Sequence, residues 1–289
     1  MVVKTTNLIA FIDFYAKHCR IFQKKSQQKR RTMKNFISSD IHGFLDEWQN
    51  ELKKVGFDAN NCQHRIILCG DNFDRGKQAK ELLDFLLKLP RERLILIRGN
   101  HEDLMDDCIE DLKSKQGIHR HHILNGTLDT ISQLTGISEW DLRCGVYQYN
   151  DIEEKLKPYY ELTDRCVNYY EIDNNIFVHG WIPLDRSKVI MRYNPDWRNA
   201  NELEWKDARW FNGMDMNHLK LQDECATIYC GHWHTSYGHS KYHNKCSEFN
   251  EDAIFEPYYD EGIVALDACT AHSGKVNVVV LDDSTGGTT

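Results

Sequence analysis

Seven side chains with oxygen or imidazole donors stand at the ends of five apolar runs: Asp40 and His42, Asp71, Asn100, His179, and His232 with His234. The clearest run is Arg65 to Cys69, which stops at Gly70-Asp71. Open α/β sheets hold ligands beyond the carboxyl ends of their strands, so five strand-like runs that finish in Asp, Asn or His point to one site. A single histidine so placed is more often a core or surface residue; the repetition is the signal. Seven such donors are what two adjacent divalent cations require if one carboxylate is shared. Asp71, on the central of the first three strands, is the natural bridge. The mixture of carboxylate, amide and imidazole suits Mn, Fe or Zn, with Mn the leading expectation, better than Ca or a thiolate site. Two such ions roughly 3.5–4 Å apart can hold a hydroxide and clamp both ends of an in-line phosphoryl displacement.

The elements that must position these donors alternate. Phe36 to Ser39 reads as a strand, followed by a helix with Phe44, Leu45, Trp48, Leu52 and Val55 at helical spacing and Gly56 as its stop. Arg65 to Cys69 is the second strand, and the helix carrying Ala79 to Leu89 stops at Pro90. Arg93 to Ile97 is the third strand, ending in Arg98-Gly99-Asn100-His101-Glu102. Strands and helices at this interval imply βαβ units and a largely parallel sheet. Asn175 to Val178 and Ala226 to Cys230 resume the strand pattern, and Ile263 to Leu266 with Val276 to Leu281 reads as paired strands finishing a second sheet. Two stretches break the rhythm. One, at about 103–170, reads as a mostly helical insertion over the mouth of the sheet, with His119, His121 and His122 in a polar loop; the other, at about 183–225, holds Trp197, Trp205 and Trp210.

A net charge of −8 lacks the basic footprint of a general nucleic-acid binder, although an acidic site can turn cationic once metals load. Ten cysteines occur singly, without a CxxC pair, which reads as a reducing cytoplasm rather than a disulfide framework. No run approaches the roughly 18 apolar residues of a membrane span. Residues 1–33, an apolar patch followed by a basic run, are expected to be disordered or to lie upstream of a natural start at Met33. Residues 34–283 then form one catalytic domain, and 284–289 a frayed tail.

Asp40-x-His42-Gly43, Gly70-Asp71-x-x-Asp74-Arg75-Gly76, Arg98-Gly99-Asn100-His101-Glu102, His179-Gly180 and Gly231-His232-x-His234 together resemble the calcineurin-like metallophosphoesterase superfamily. The Asp-Arg-Gly and Arg-Gly-Asn-His-Glu forms are similar to its phosphoprotein phosphatase branch, including bacterial and phage serine/threonine phosphatases. The resemblance implies an α/β sandwich of two mixed β-sheets flanked by helices, with helical insertions over the active-site face. It implies one metal on Asp40, His42, Asp71 and His234, and a second on Asp71, Asn100, His179 and His232. It also implies His101 as general acid, Asp74 as the carboxylate that orients it, and Arg75, Arg98 and Arg209 as substrate arginines. Two features depart from that branch: Ser38-Ser39 precede Asp40 where glycine is usual, and the last motif has the GHxH form of the wider superfamily. The expected reaction is phosphomonoester hydrolysis by a metal-bridging hydroxide, with phosphoserine or phosphothreonine in proteins as the leading substrate. Symmetrical dinucleoside-tetraphosphate hydrolysis and phosphodiester hydrolysis are the alternatives. A non-catalytic scaffold of the same fold is disfavoured, because every ligand, His101 and Asp74 are present.

Overall fold

The computed structural model describes residues 33–187 and 190–283; the expectations for residues 1–32 and for the tail 284–289 lie outside the described residues. Strand β1 (Lys34–Ser38) pairs in parallel with β2 (His64–Leu68), and β2 in parallel with β3 (Leu94–Leu96). The crossovers are helices α1 (Leu45–Lys54) and α2 (Ala79–Lys88). Helix α1 buries Leu45, Trp48 and Leu52, and α2 buries Ala79, Leu82, Leu83 and Leu86, the stripes that helical spacing in the sequence predicts. Helix α2 ends before Pro90, which lacks the amide hydrogen a further turn needs. The third strand is shorter than expected. Arg91–Arg93 forms a 3₁₀ turn, and the buried Arg93 guanidinium donates to the carbonyls of His64 (2.8 Å) and Ala59 (2.7 Å) instead of extending the ladder.

Five helices follow: α3 (Asn100–Ser114), α4 (Arg120–Leu124), α5 (Thr127–Thr135), α6 (Glu139–Cys144) and α7 (Tyr149–Thr163). Their apolar residues Leu112, Ile131, Ile152 and Tyr159 join Phe36, Ile66 and Leu68 in one continuous cluster on the outer face of the first sheet. The helical stretch therefore shares that sheet's core.

The chain then builds a second sheet from β4 (Tyr170–Ile172), β5 (Asn175–Phe177), β8 (Thr227–Cys230), β9 (Tyr258–Asp260) and β10 (Ile263–Ala265), in the order β4-β5-β8-β10-β9. Strands β5, β8 and β10 are parallel to one another. A short ladder of β6 (Leu184–Asp185) and β7 (Arg192–Tyr193), helices α8 (Glu202–Ala208) and α9 (Gly213–His218), and later α10 (Thr235–Lys241) cover its outer side. Helix α11 (Thr270–Ser273) leads to β11 (Val279–Asp282). Here the expectation of paired strands fails. Strand β11 runs antiparallel to β1 in the first sheet, Lys34 opposite Asp282 and Ile37 opposite Val279, while β10 stays in the second. Strand alternation reveals which face is buried but not which neighbour supplies the ladder.

The two sheets pack face to face. Ile37, Ile67, Cys69 and Ile97 meet Phe177, Tyr229, Val264 and Leu266, while the alternate residues Phe36, Ile66 and Leu68 face the helices. The strand ends of the two sheets lie against one another. His179 Nδ1, after β5, donates to the Cys69 carbonyl after β2 at 2.7 Å. Gly231, after β8, comes so close to the end of β1 that a β-carbon there would lie 1.8 Å from Ser39 Oγ and 2.0 Å from Asp40 Oδ2. Gly231→Ala is therefore expected to force these strand ends apart, lowering stability in urea unfolding by about 1–3 kcal/mol and weakening divalent-cation binding. A variant with unchanged midpoint and cation affinity would show that the contact is not needed.

Candidate metal centre and active site

The segments after β1, β2, β3, β5 and β8 carry Asp40 and His42, Asp71, Asn100, His179 and His232 into one cluster, buried except for the half-buried His232. Six residues there adopt left-handed backbone: Asp40, His42, Asp71, Asp74, Arg75 and His232 have φ between 47° and 73°. A non-glycine residue held this way costs about 1–2 kcal/mol, so the strain concentrates where side chains must leave the strand direction. Interlocked backbone bonds hold the loops. Asp40 N–H donates to Gly70 O (3.1 Å), His42 N–H to Asp71 O (3.1 Å) and Gly76 N–H to His42 O (2.8 Å). Glu102, buried in the first turn of α3, accepts from the N–H groups of Gly99 (2.8 Å), Asp71 (3.0 Å) and Asn72 (3.0 Å).

Two groups of donors share Asp71. His42, Asp71 and His101 form one, and Asp71, His179 and His232 the other, each with its ligand atoms within 4.8 Å of one another. His42 donates from Nδ1 to the Phe73 carbonyl (2.8 Å), which leaves Nε2 facing Asp40 Oδ1 and Asp71 Oδ2, each 3.9 Å away. Asn100 Oδ1 lies between two rings, 2.8 Å from His179 Nε2 and 2.9 Å from His232 Nδ1. His179 Nε2 is 3.3 Å from Asp71 Oδ1.

The electrostatics of this cluster fit divalent cations. Burial and the neighbouring Asp267 carboxylate drive the Asp40 carboxyl well above its ordinary range, with Asp71 adding to the rise. Burial also pushes Asp71 upward, but His179, His101 and His42 outweigh it and hold that carboxyl well below the usual range. Against the cost of burial, Asp71 lifts His179 to about 10, whereas burial and the nearby His179 push His232 down to about 3. Buried like charges set against one another in this way are relieved by a cation among them, which would ionise Asp40 and leave the imidazoles as neutral ligands.

Beside the cluster stands an ordered dyad. His101 Nδ1 donates to Asp74 Oδ2 at 2.7 Å; the same oxygen accepts from Thr127 Oγ1 (2.7 Å), and Asp74 Oδ1 accepts from Thr130 Oγ1 (2.8 Å). Burial opposes protonation of His101, but Asp71 and Asp74 outweigh it and raise its pKa. The exposed Arg75 spans the rings, with Nη1 2.8 Å from His42 Nε2 and Nη2 3.0 Å from His101 Nε2. Arg75, His232, Trp233, His234 and Asp267 line a cleft of about 480 Å³; a larger one of about 830 Å³, bordered by Arg98, Trp205 and Lys206, includes none of the expected metal ligands.

Three residues stand differently from expectation. His234 also faces the cleft, but its Nε2 pairs with Glu248 Oε1 at 2.7 Å rather than with Asp40 or His42. Arg98 turns to the helix that follows it, donating to Asp103 Oδ1 at 2.7 Å and pairing with Asp106, so it forms the salt bridge that acidic neighbours make available. Arg209 is buried, 3% exposed, and bonded to Asp103 Oδ2 (2.9 Å), Asn168 Oδ1 (2.6 Å) and Glu202 Oε1 (2.5 Å). A desolvated guanidinium needs such partners, and these leave it no open fork for substrate. The motifs gave no sign of Thr127, Thr130 or Asp267. The threonines look like ordinary helix residues, and Asp267 follows one more short strand, a signal of the same kind as the others. Ser39, where glycine was expected, sets its hydroxyl 2.5 Å from Asp40 Oδ2.

Curated relatives match in part. The chain is 36% identical over 70 residues to a symmetrical bis(5'-nucleosyl)-tetraphosphatase of Buchnera aphidicola subsp. Baizongia pistaciae, covering 24% of each chain. It is 28% identical over 161 residues to the asymmetrical bis(5'-nucleosyl)-tetraphosphatase PrpE of Oceanobacillus iheyensis, covering 52% of this chain and 57% of that one. The chain thus spans from about a quarter to somewhat over half the length of these relatives. Among solved structures, a protein serine/threonine phosphatase from Saccharomyces cerevisiae with similarity to human phosphatase PP5 aligns with 91% of this chain and 83% of its own, at 15% identity and a TM-score of 0.49. Residues 33–236, well over half of the sequence and inclusive of all five strand-end motifs, match the family model of the calcineurin-like phosphoesterases, and the chain belongs to that family.

Proposed function

We propose that this protein hydrolyses phosphomonoesters with the help of two divalent cations, phosphoserine and phosphothreonine in proteins being the leading substrate class. The observation that carries the reading is the 2.7 Å His101–Asp74 hydrogen bond beside the shared Asp71 carboxylate. An alkoxide leaves poorly without a proton, whereas a nucleotide phosphate leaves readily. A histidine held as a proton donor by a buried carboxylate is therefore worth most for an alkyl ester.

Asp40, His42 and Asp71 would hold one cation, and Asp71, Asn100, His179 and His232 the other; His234 would join the first by releasing Glu248. Manganese is the leading candidate, with iron or zinc as alternatives, and such ions would supply an activated water and charge neutralisation at the phosphoryl group. Arg75 would swing its fork from the two imidazoles to phosphate oxygens, leaving His101 Nε2 to face the departing oxygen. Asp74, fixed by Thr127 and Thr130, keeps the His101 ring aimed and its Nδ1 proton in place. Arg98 and Arg209 act through Asp103, bracing the first turn of α3 that bears Asn100 and His101.

A second reading, hydrolysis of dinucleoside tetraphosphates, is favoured by Trp210 and Trp233. Both are partly exposed, with ring centroids 5.6 and 6.1 Å from His232, and offer faces on which bases could stack. It also agrees with the names of the two curated relatives.

With manganese, a phosphopeptide and p-nitrophenyl phosphate are expected to be cleaved faster than bis-p-nitrophenyl phosphate and diadenosine tetraphosphate. Turnover of the diester alone would reject the reading, and preference for the tetraphosphate would replace it with the second. His101→Asn is expected to slow phosphopeptide hydrolysis by roughly 10²–10⁴ in kcat while affecting the nitrophenyl ester, whose leaving group needs no proton, far less. An equal loss on both esters would remove His101 from proton delivery. Asp71→Asn is expected to abolish turnover and to weaken manganese binding in calorimetry; retained turnover on every substrate would place the chemistry elsewhere.

A further inference from the structure

Far along α3 from the centre, a third group of donors faces a different element. Asp111 lies eleven residues beyond Asn100, about 16 Å along the helix axis. Its Oδ2 accepts from His119 Nδ1 at 2.7 Å and from His119 N–H at 3.0 Å, and stands 3.5 Å from His122 Nε2. The three ligand atoms lie within 4.8 Å of one another. Tetrahedral zinc, with bonds of about 2.0–2.1 Å, spaces its ligand atoms by about 3.3–3.4 Å, so small side-chain movements would seat an ion. His119 and His122, three residues apart across the start of α4, can present their rings on one side of it.

His122 is the informative member. It is 1% exposed, and its Nδ1 has no hydrogen-bond partner among the described residues. The other ring nitrogen, Nε2, is the one turned toward Asp111, so the ring presents a free lone pair to the group from a fixed, buried position. Burial and the His121 ring, 3.9 Å away by centroids, lower its pKa and favour the neutral imidazole that metals require. His119 is exposed and gives an ion a route from solvent.

We propose that Asp111, His119 and His122 bind a zinc-like divalent ion as a clasp separate from the strand-end centre. The clasp joins α3 to α4 across the connection at 115–119. Its position makes it more than a local tie. Helix α3 opens with Asn100 and His101, and α4 runs through Gly126 into Thr127 and Thr130, which hold Asp74. An ion here would tie the helix that carries His101 to α4, which leads directly into α5 and its two threonines on Asp74.

The test uses the full chain in an Asp71→Asn background, which removes the ligand shared by the other two donor groups. Competition with a chromophoric zinc indicator is expected to reveal a site of micromolar affinity or tighter, weakened roughly tenfold to a hundredfold in Asp71→Asn/His119→Ala. Zinc is expected to raise the melting temperature of the first protein by more than that of the second. Because His119 is exposed, its replacement should leave the fold intact, which circular dichroism checks; His122→Gln gives a second loss of the same site. Zinc affinity and melting shift that do not depend on His119 would overturn the proposal, as would binding to the first protein only at millimolar zinc.

Discussion

A carboxylate almost sealed from solvent sets the terms for this structure. Asp71 is 2% exposed and charged, a combination that costs several kcal/mol unless positive or donor groups surround it. They do so from three directions. His101 N–H donates to Oδ1 at 2.9 Å, His179 Nε2 lies 3.3 Å from the same oxygen, and His42 and His101 approach Oδ2 at 3.9 Å. His42, His179 and His101 follow three different strands, the last of them in the first turn of α3. The charge of Asp71 therefore makes the loops after β1, β3 and β5 depend on the loop after β2. The same carboxylate, shared by two groups of donors, is what makes a pair of cations a natural occupant.

The sandwich supplies the geometry for that convergence. Parallel strands in each sheet deliver their ends to the same edge, and the contact of Gly231 with Ser39 and Asp40 closes the seam between the sheets. Left-handed backbone then turns the side chains inward, at a strain repaid by the interlocking hydrogen bonds of Glu102 and the loop amides. The helices between β3 and β4 contribute chemistry as well as cover, because α5 places two threonine hydroxyls on Asp74.

The arginines divide by the same logic. Asp103 accepts Arg98 on one oxygen and Arg209 on the other, so a single carboxylate joins the start of α3 to the residue that follows α8. Arg209, removed from water, and Arg98, half-buried, are both spent on carboxylates as braces. Arg75, exposed, instead faces the imidazoles of His42 and His101.

The sequence by itself determined the strand-end donors, the βαβ order and the helix faces, because apolar periodicity and abrupt Gly-Asp or Gly-His stops are local signals. Asp40, His42, Asp71, Asn100, His179 and His232 could all be named that way, and His101 with Asp74 by resemblance. Only the tertiary structure decided the rest. That β11 returns to the first sheet, that His234 pairs with Glu248, that Arg98 and Arg209 close on Asp103, and that Thr127 and Thr130 reach Asp74 all depend on which distant segments meet. Partner choice for a charged or hydroxyl side chain is set by burial and by proximity across the fold, and neither is written in the spacing of residues along the chain.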